Sequence, residues 1–249
     1  MSFDLRLGDC LDPVTGLASL PDKSVDHVIC DPPYAEKVHA ASRRGAIEHE
    51  PGTGRAAFSR NVDLGFESLR QTVREEAAGH FGRLARRWVA VFCDVESSHL
   101  WSADLSTFGD LEPVRVMAWI KVGGTPQFTG DRPAVGFEAI SLAHPKGRKR
   151  WNGGGRQGVY SVPIVLSRGG DNEERVHTTQ KPVALMEKLI RDFSDPGETI
   201  LDPFAGSGTT GVAAIRLGRK FIGWERDPRY HAIACKRLQA AREQLELCA

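Results

Sequence analysis

The segment ETILDPFAGSGTTGVAAIRLGRKFIGWE, residues 198–225, constrains the fold more than any other part of the chain. A short apolar run over 199–201 meets Asp202, then Gly206, Gly208 and Gly211, then helix formers, then a second apolar run that ends at Glu225. The pattern is strand, glycine turn, helix, strand. A unit of this kind sets two parallel strands in one sheet with a right-handed crossover. The glycines satisfy GxGxxG, and Glu225 follows Gly206 by 19 positions. Such a turn lets backbone come close to a nucleotide-type cofactor, and an acid at that distance holds ribose hydroxyls. On this evidence alone, NAD fits the site.

Other apolar runs read as strands at 5–8, 25–30, 88–94, 114–121 and 137–145. They alternate with helical patterns, which predicts an α/β fold with a mostly parallel sheet. Phe66, Leu69, Val73, Ala77, Phe81, Leu84 and Trp88 fall three or four apart and predict one long helix. Pro182 suits a first helical position, with Leu185, Met186, Leu189, Ile190 and Phe193 on the buried face. A helix from about Thr209 should stop at Gly218. The last helix starts after Asp227-Pro228 and turns Ile233, Ala234, Leu238, Ala241 and Leu245 inward. With 249 residues the chain is read as one domain, 1–249. Two stretches lack a period. Residues 35–65 read as a functional or mobile loop, and 146–180 as a second insert rich in glycine and positive charge.

Only 24 residues follow Glu225, and they read as one helix. An NAD domain needs further strands after its acid. Here they must come from the N-terminal part, so the Leu5–Gly8 strand is expected beside the Glu225 strand. Asp9 and Cys10 then lie at its end, near the cofactor's base. Cys10 serves equally well as a small core hydrophobe.

The five cysteines, Cys10, Cys30, Cys93, Cys235 and Cys248, form no CxxC pair. They point to reduced thiols, with neither a disulfide frame nor a metal site. No basic start with an apolar run behind it opens the chain, and no apolar stretch approaches about 20 residues. A cytoplasmic protein without a membrane part is expected. The net charge of +1 says nothing about partners; only its distribution does.

A second motif stands near the front. In VDHVICDPPYAEK, residues 25–37, an apolar run stops at Asp31, and Pro32, Pro33 and Tyr34 follow. Two prolines cannot extend a ladder, and each fixes its own φ. An acid, a rigid backbone and a flat ring thus stand together where a strand ends.

In order along the chain, LGDC, DPPY, HTTQKP and LDPFAGSGTT resemble the amino-group DNA methyltransferases. The permutation is similar to the β class, where the catalytic motif precedes the S-adenosylmethionine motif. The resemblance covers nearly all of residues 4–240. It implies a Rossmann-like methyltransferase fold with a mostly parallel seven-stranded sheet and helices on both faces. It implies that Asp31 and Pro32 bind the target amine, that Pro33 completes the catalytic corner and that Tyr34 stacks on the flipped base. An exocyclic amine is a poor nucleophile because its lone pair is delocalised into the ring. A carboxylate on one N–H and a backbone carbonyl on the other pull the nitrogen toward tetrahedral geometry. The resemblance also places Asp202, Phe204, Gly206, Ser207, Gly208, Thr209 and Thr210 around the methionine part of S-adenosylmethionine. Glu225 goes to the ribose, and Asp9 to the adenine. Thr178, Gln180 and Lys181 fall to the methionine carboxylate. Asp31 also borders the cofactor. His177 reads as a surface residue and Trp224 as a core residue. The family tends to have Asp at position 31 for adenine N6 and Ser for cytosine N4, so adenine is favoured. An NAD-linked oxidoreductase and an inactive DNA-binding relic are the other readings.

KGRKRWNGGGR, residues 146–156, carries five positive charges around one tryptophan. Lys146, Arg148, Lys149, Arg150, Trp151 and Arg156 are therefore expected to meet double-stranded DNA. Arg43, Arg44, Arg55 and Arg60 follow DPPY and are expected on a loop that closes over the base. One short recognition segment covers little DNA, so a homodimer is expected.

Overall fold

A computed structural model describes residues 2–33, 46–49, 56–59, 69–124, 126, 130–165 and 180–247. The elements are β1 (Phe3–Leu7), β2 (His27–Cys30), β3 (Ala46–His49), β4 (Ala56–Ser59), α1 (Gln71–Leu84), β5 (Val89–Cys93) and α2 (Ser98–Thr107). Then come β6 (Leu111–Val122), β7 (Phe137–Pro145), β8 (Val159–Pro163), α3 (Val183–Phe193), β9 (Thr199–Asp202), α4 (Thr209–Arg216), β10 (Lys220–Glu225) and α5 (Pro228–Leu247).

Eight strands form the main sheet in the order β1-β10-β9-β2-β5-β7-β6-β8. Only β7 runs against the others. The N-terminal strand lies where the missing strand had to come from: Phe3 pairs with Phe221 and Leu7 with Glu225. The strand ahead of Asp31 lies directly beside the strand ahead of the glycine turn, His27 against Ile200 and Val28 against Leu201.

Alternation along the central strands separates two apolar layers. Ile29, Ala90, Phe92 and Ile200 point to the side covered by α3, α4 and α5. Val28, Cys30, Val89, Val91 and Leu201 point to the side covered by α1 and α2. Helices therefore cover both faces, as the family resemblance implies.

Four details differ from the sequence reading. The sheet has eight strands, because Val159–Pro163 adds an edge beside β6. Its Tyr160 and Val162 alternate inward and are buried. The long helix is shorter than its apolar spacing predicts. Ala85 turns extended, and the N–H groups of Arg86 and Arg87 donate to Val25 and Asp26 at 3.0 and 2.9 Å. Pairing with the chain ahead of β2 thus captures the backbone that would have continued α1, and Trp88 leads into β5. Pro182 is the cap of α3 and not its first turn. The buried face of α3 is as expected: Leu185, Met186, Leu189, Ile190 and Phe193. Within the loop expected at 35–65, β3 and β4 pair antiparallel.

Candidate active site

The parallel strands β1, β10, β9, β2 and β5 all end at one edge of the sheet, and the two sequence motifs meet there. Open α/β sheets bind ligands at this edge, where the strand order reverses. β9 delivers Asp202, whose side chain holds the glycine turn from inside. Its Oδ1 accepts from the Phe204 N–H at 3.0 Å, and its Oδ2 accepts from the Thr210 hydroxyl at 2.6 Å. Gly206 and Gly208 sit at φ +55° and +82°, a region that a side chain strains. Gly211 is packed against Leu238 and Phe221, so it sets how closely α4 approaches α5 and β10.

Glu225, at the end of β10, ties the turn to the next strand. Its Oε2 accepts from the Gly206 N–H at 2.8 Å, and its Oε1 accepts from the Asp227 N–H at 2.7 Å. Burial raises its carboxyl above the ordinary range. Asp9 stands exposed after β1, with Oδ1 accepting from the Leu11 N–H at 2.9 Å. Gly8 N–H donates to the Glu225 carbonyl at 3.0 Å, so the ends of β1 and β10 are locked side by side. Cys10 is buried among core residues, and burial pushes its thiol up. Of its two sequence readings, the packing matches the core one. Trp224 is likewise core, its indole N–H donating to the Thr15 carbonyl at 3.2 Å.

Burial pushes the Asp202 carboxyl up to about 7, and the negative charges of Asp31 and Glu225 add to it. A carboxyl raised in the folded chain favours folding when protonated. Its contribution is full below the usual carboxylate range and is lost as pH rises toward about 7. Asp202→Asn, neutral throughout, is therefore expected to show a smaller fall in Tm between about pH 4 and about pH 8 than the parent. Thermal melts across that range check this; an identical fall in both proteins contradicts it.

Three hydroxyls of the turn face inward. Ser207 Oγ accepts from Arg237 at 3.0 Å, Thr209 Oγ1 accepts from the same guanidinium at 3.4 Å, and Thr210 serves Asp202. Sequence patterning did not flag Arg237, because an arginine on a terminal helix carries no motif.

Asp31 follows β2, beside this turn. Its side chain is 22% exposed, yet Oδ1 is buried and lacks a hydrogen-bond partner among the described residues. Its Oδ2 accepts from the Lys181 ammonium at 2.6 Å. Pro32 is buried and Pro33 half-buried. Lys181 was expected at a cofactor carboxylate. Instead it is buried and paired with Asp31 and, at 3.0 Å, with Glu138. Gln180 is buried beside it in the chain. Phe204 packs half-buried against the layer under α1 and α2. Tyr34, His177, Thr178, Arg43, Arg44, Arg55 and Arg60 lie outside the described residues.

The basic segment is not brought to this cleft. β7 runs antiparallel, so residues 146–156 emerge at the opposite edge, where the other strands begin. There Arg150 pairs with Asp195 at 2.9 Å, and its carbonyl accepts from the Trp88 indole N–H at 2.5 Å. Lys146 pairs with Asp110 at 2.9 Å, Lys149 with Glu112, and Arg156 with Asp192. Trp151 stacks edge-on against Phe193, ring centroids 4.9 Å apart. Arg148 is exposed on the same far edge. Acids that the sequence does not place nearby thus neutralise most of the charge expected to face phosphates.

The residues fit a nucleoside-type ligand with a cationic reactive centre. Two carboxylates, Glu225 and Asp9, border the strand ends. A Cβ added at Gly206 meets nothing within 4 Å, so the turn faces open space. An acid next to it presents a buried oxygen with no partner among the described residues.

Such an edge, with a glycine turn beside an acid-proline corner, defines an α/β group-transfer site of the methyltransferase kind. Residues 87–236, more than half of the chain, match the family model described as DNA methylase, of the N6/N4 type. The chain belongs to this family of DNA amino-methyltransferases. It is 27% identical to the type II methyltransferase M.HinfI of Haemophilus influenzae over 93% of this chain and 67% of that one. The fold matches the crystal structure of M1.HpyAVI solved as a SAM complex, with TM-score 0.68, 24% identity, and 95% of this chain and 98% of that chain covered. It also matches the cytosine-N4-specific PvuII DNA methyltransferase, with TM-score 0.69, 16% identity, and 98% and 93% coverage.

Proposed function

We propose that the protein transfers a methyl group from S-adenosylmethionine to the N6 amine of adenine in duplex DNA. The observation that carries this reading is the Asp31 carboxylate. It stands beside the glycine turn with Oδ2 engaged and Oδ1 buried and unpartnered among the described residues. A buried acceptor without a partner is costly unless a ligand completes it. An amine N–H of a flipped base is such a ligand.

S-adenosylmethionine supplies an electrophilic methyl carried on a sulfonium. Glu225 and Asp9 border the space for its nucleoside, and the backbone at Gly206 allows close approach. Asp31 accepts one N–H of the amine, and a carbonyl of the proline corner accepts the other. The nitrogen lone pair is then freed from the ring and aimed at the methyl carbon. In-line displacement at a bound sulfonium would form the N–C bond as the S–C bond breaks, sulfur would leave as a neutral thioether, and the extra proton on nitrogen would pass to solvent. Prolines fix the acceptor before substrate arrives, so little reorganisation is left for the reaction itself. Tyr34 replaces the stacking that the flipped base has lost.

Cytosine N4 offers the same two hydrogens, and that enzyme is the second reading. Asp31 favours adenine. The DNA contacts are assigned to chain at the Asp31 edge, where β6 ends and β7 begins, and not to residues 146–156. A second copy of the chain belongs to the same proposal.

The test is expression in a host that lacks DNA methylation, followed by digestion of the genomic DNA and mass spectrometry of the nucleosides. N6-methyladenine is expected. N4-methylcytosine would transfer the assignment to the second reading, and neither base would remove both. Light scattering of the purified complex on duplex DNA gives the stoichiometry, and one chain per duplex would remove the second copy.

A further inference from the structure

Lys181 is an unexpected neighbour for Asp31. It stands just ahead of α3, yet its ammonium reaches the end of β2 and the start of β7. The Nζ lies 2.6 Å from Asp31 Oδ2 and 3.0 Å from Glu138 Oε2. Glu138 in turn pairs through Oε1 with Lys121 of β6 at 2.6 Å. The side chains of Lys181 and Glu138 are 7% and 9% exposed. The Lys181 ammonium also lies 5.3 Å from the Phe92 ring centroid and 5.9 Å from that of Trp119. Two cations and two anions thus form one neutral chain from β6 to Asp31. Burying such a chain contributes little to stability, since apolar residues of the same volume usually serve as well or better. Its effect at the site is specific. Lys181 occupies one oxygen of Asp31, and the other, Oδ1, is the one without a partner among the described residues.

We infer that Lys181 and Glu138 are positioning residues for Asp31: the ammonium anchors Oδ2 and keeps the carboxylate ionised and turned, so that Oδ1 receives the target amine, while Glu138, braced by Lys121, fixes the ammonium. This rests on the reading of Asp31 as the amine acceptor. It assigns Lys181 a task other than cofactor binding, and it gives Glu138 and Lys121 a part that no sequence motif marks.

Among the described residues, the titratable groups electrostatically linked to Asp31 are Lys181, Glu138, Lys121, Asp202 and the thiols of Cys30 and Cys93. Burial pushes the Asp31 carboxyl up, Lys181 pulls it down, and Glu138 pushes it up again. Removing Lys181 and removing the charge of Glu138 must therefore act in opposite directions. A merely structural role does not produce that pattern.

The test reads Asp31 in the full chain. Aspartate is labelled with carbon-13, and the Asp31 carboxyl signal is assigned by its loss in Asp31→Asn. Its titration is followed in the parent, Lys181→Met, Lys181→Arg and Glu138→Gln. Lys181→Met is expected to move the midpoint up by about 1–3 pH units. Glu138→Gln is expected to move it down, and Lys181→Arg to stay near the parent. S-adenosylmethionine affinity stays within about threefold in all of them, and the acid limb of single-turnover methyl transfer moves with the midpoint. An unmoved midpoint in Lys181→Met overturns the inference. So does a loss of cofactor affinity of about 30-fold with the midpoint in place, which would make Lys181 a cofactor ligand. If Lys181→Met does not fold, Glu138→Gln decides: no downward movement overturns the inference. A parent whose Asp31 titrates as described but which methylates no DNA would sink the proposed function and leave the positioning pair standing.

Discussion

Asp31→Ala is expected to cut single-turnover methyl transfer by about 1,000-fold or more while S-adenosylmethionine binds within about threefold of the parent. The size follows from what the carboxylate does. It is the acceptor that aligns the amine lone pair, and an aligned polar group in a dry site contributes far more than one in water. The separation of the two effects follows from geometry. The turn that borders the cofactor space is held by Asp202, Thr210 and Glu225, none of which bonds to Asp31. The fold should tolerate the change, because the Lys181 ammonium keeps Glu138 at 3.0 Å and is not left as an isolated buried charge. Asp31→Asn sharpens the comparison. It keeps the volume but removes the charge that pairs with Lys181, so a loss of about 100-fold is expected. Transfer of labelled methyl to DNA and calorimetric titration of the cofactor measure the two quantities separately. Asp31→Ala turning over within about tenfold of the parent would contradict the assignment.

Both corners of this site were legible in the sequence, because each has a local physical signature. Gly206 and Gly208 are needed where φ is positive, and Pro32 and Pro33 announce the end of a ladder. The place of β1 beside β10 was expected from the sequence and is seen; the adjacency of the two corners followed only from the family resemblance, and β2 does lie beside β9. The direction of β7 was not legible. Its apolar run FEAISLAHP reads the same for either orientation, and the antiparallel one carries residues 146–156 to the far edge. The positive charges there were read by composition, but Asp110, Glu112, Asp192 and Asp195, distant in sequence, decide what they meet. The partner of Lys181 was not legible either: the resemblance puts this lysine near a cofactor carboxylate, and only the packing shows its contact with Asp31, 150 residues away. Local backbone demands can be read from a chain, whereas pairing between distant charges depends on a fold that the charges do little to specify.

Gly206 and Gly208 are two residues apart and are expected to fail in different ways when each is changed to valine. Gly208 sits at φ +82°, and an added Cβ would stand 2.9 Å from Ala234 Cβ and 3.2 Å from its Cα. The left-handed backbone costs roughly 1–2 kcal/mol for a residue with a side chain. Forcing α5 away from α4 adds roughly 1–3 kcal/mol. Together these should lower Tm by about 5–20 °C in a domain of this size. Gly206, at φ +55°, carries the backbone cost alone, since nothing lies within 4 Å of its added Cβ. Gly206→Val should therefore melt only a few degrees below the parent. Its side chain, however, enters the open space over the strand ends and stands next to the Gly206 N–H that Glu225 holds at 2.8 Å. Affinity for S-adenosylmethionine is expected to fall by about 100-fold, as for a bulky group placed where backbone must meet the ligand. Thermal melts and cofactor titrations on the two variants separate a fold defect from a ligand defect. If Gly206→Val binds the cofactor like the parent, the space over the turn does not take the ligand, and the cofactor must lie elsewhere along the sheet edge.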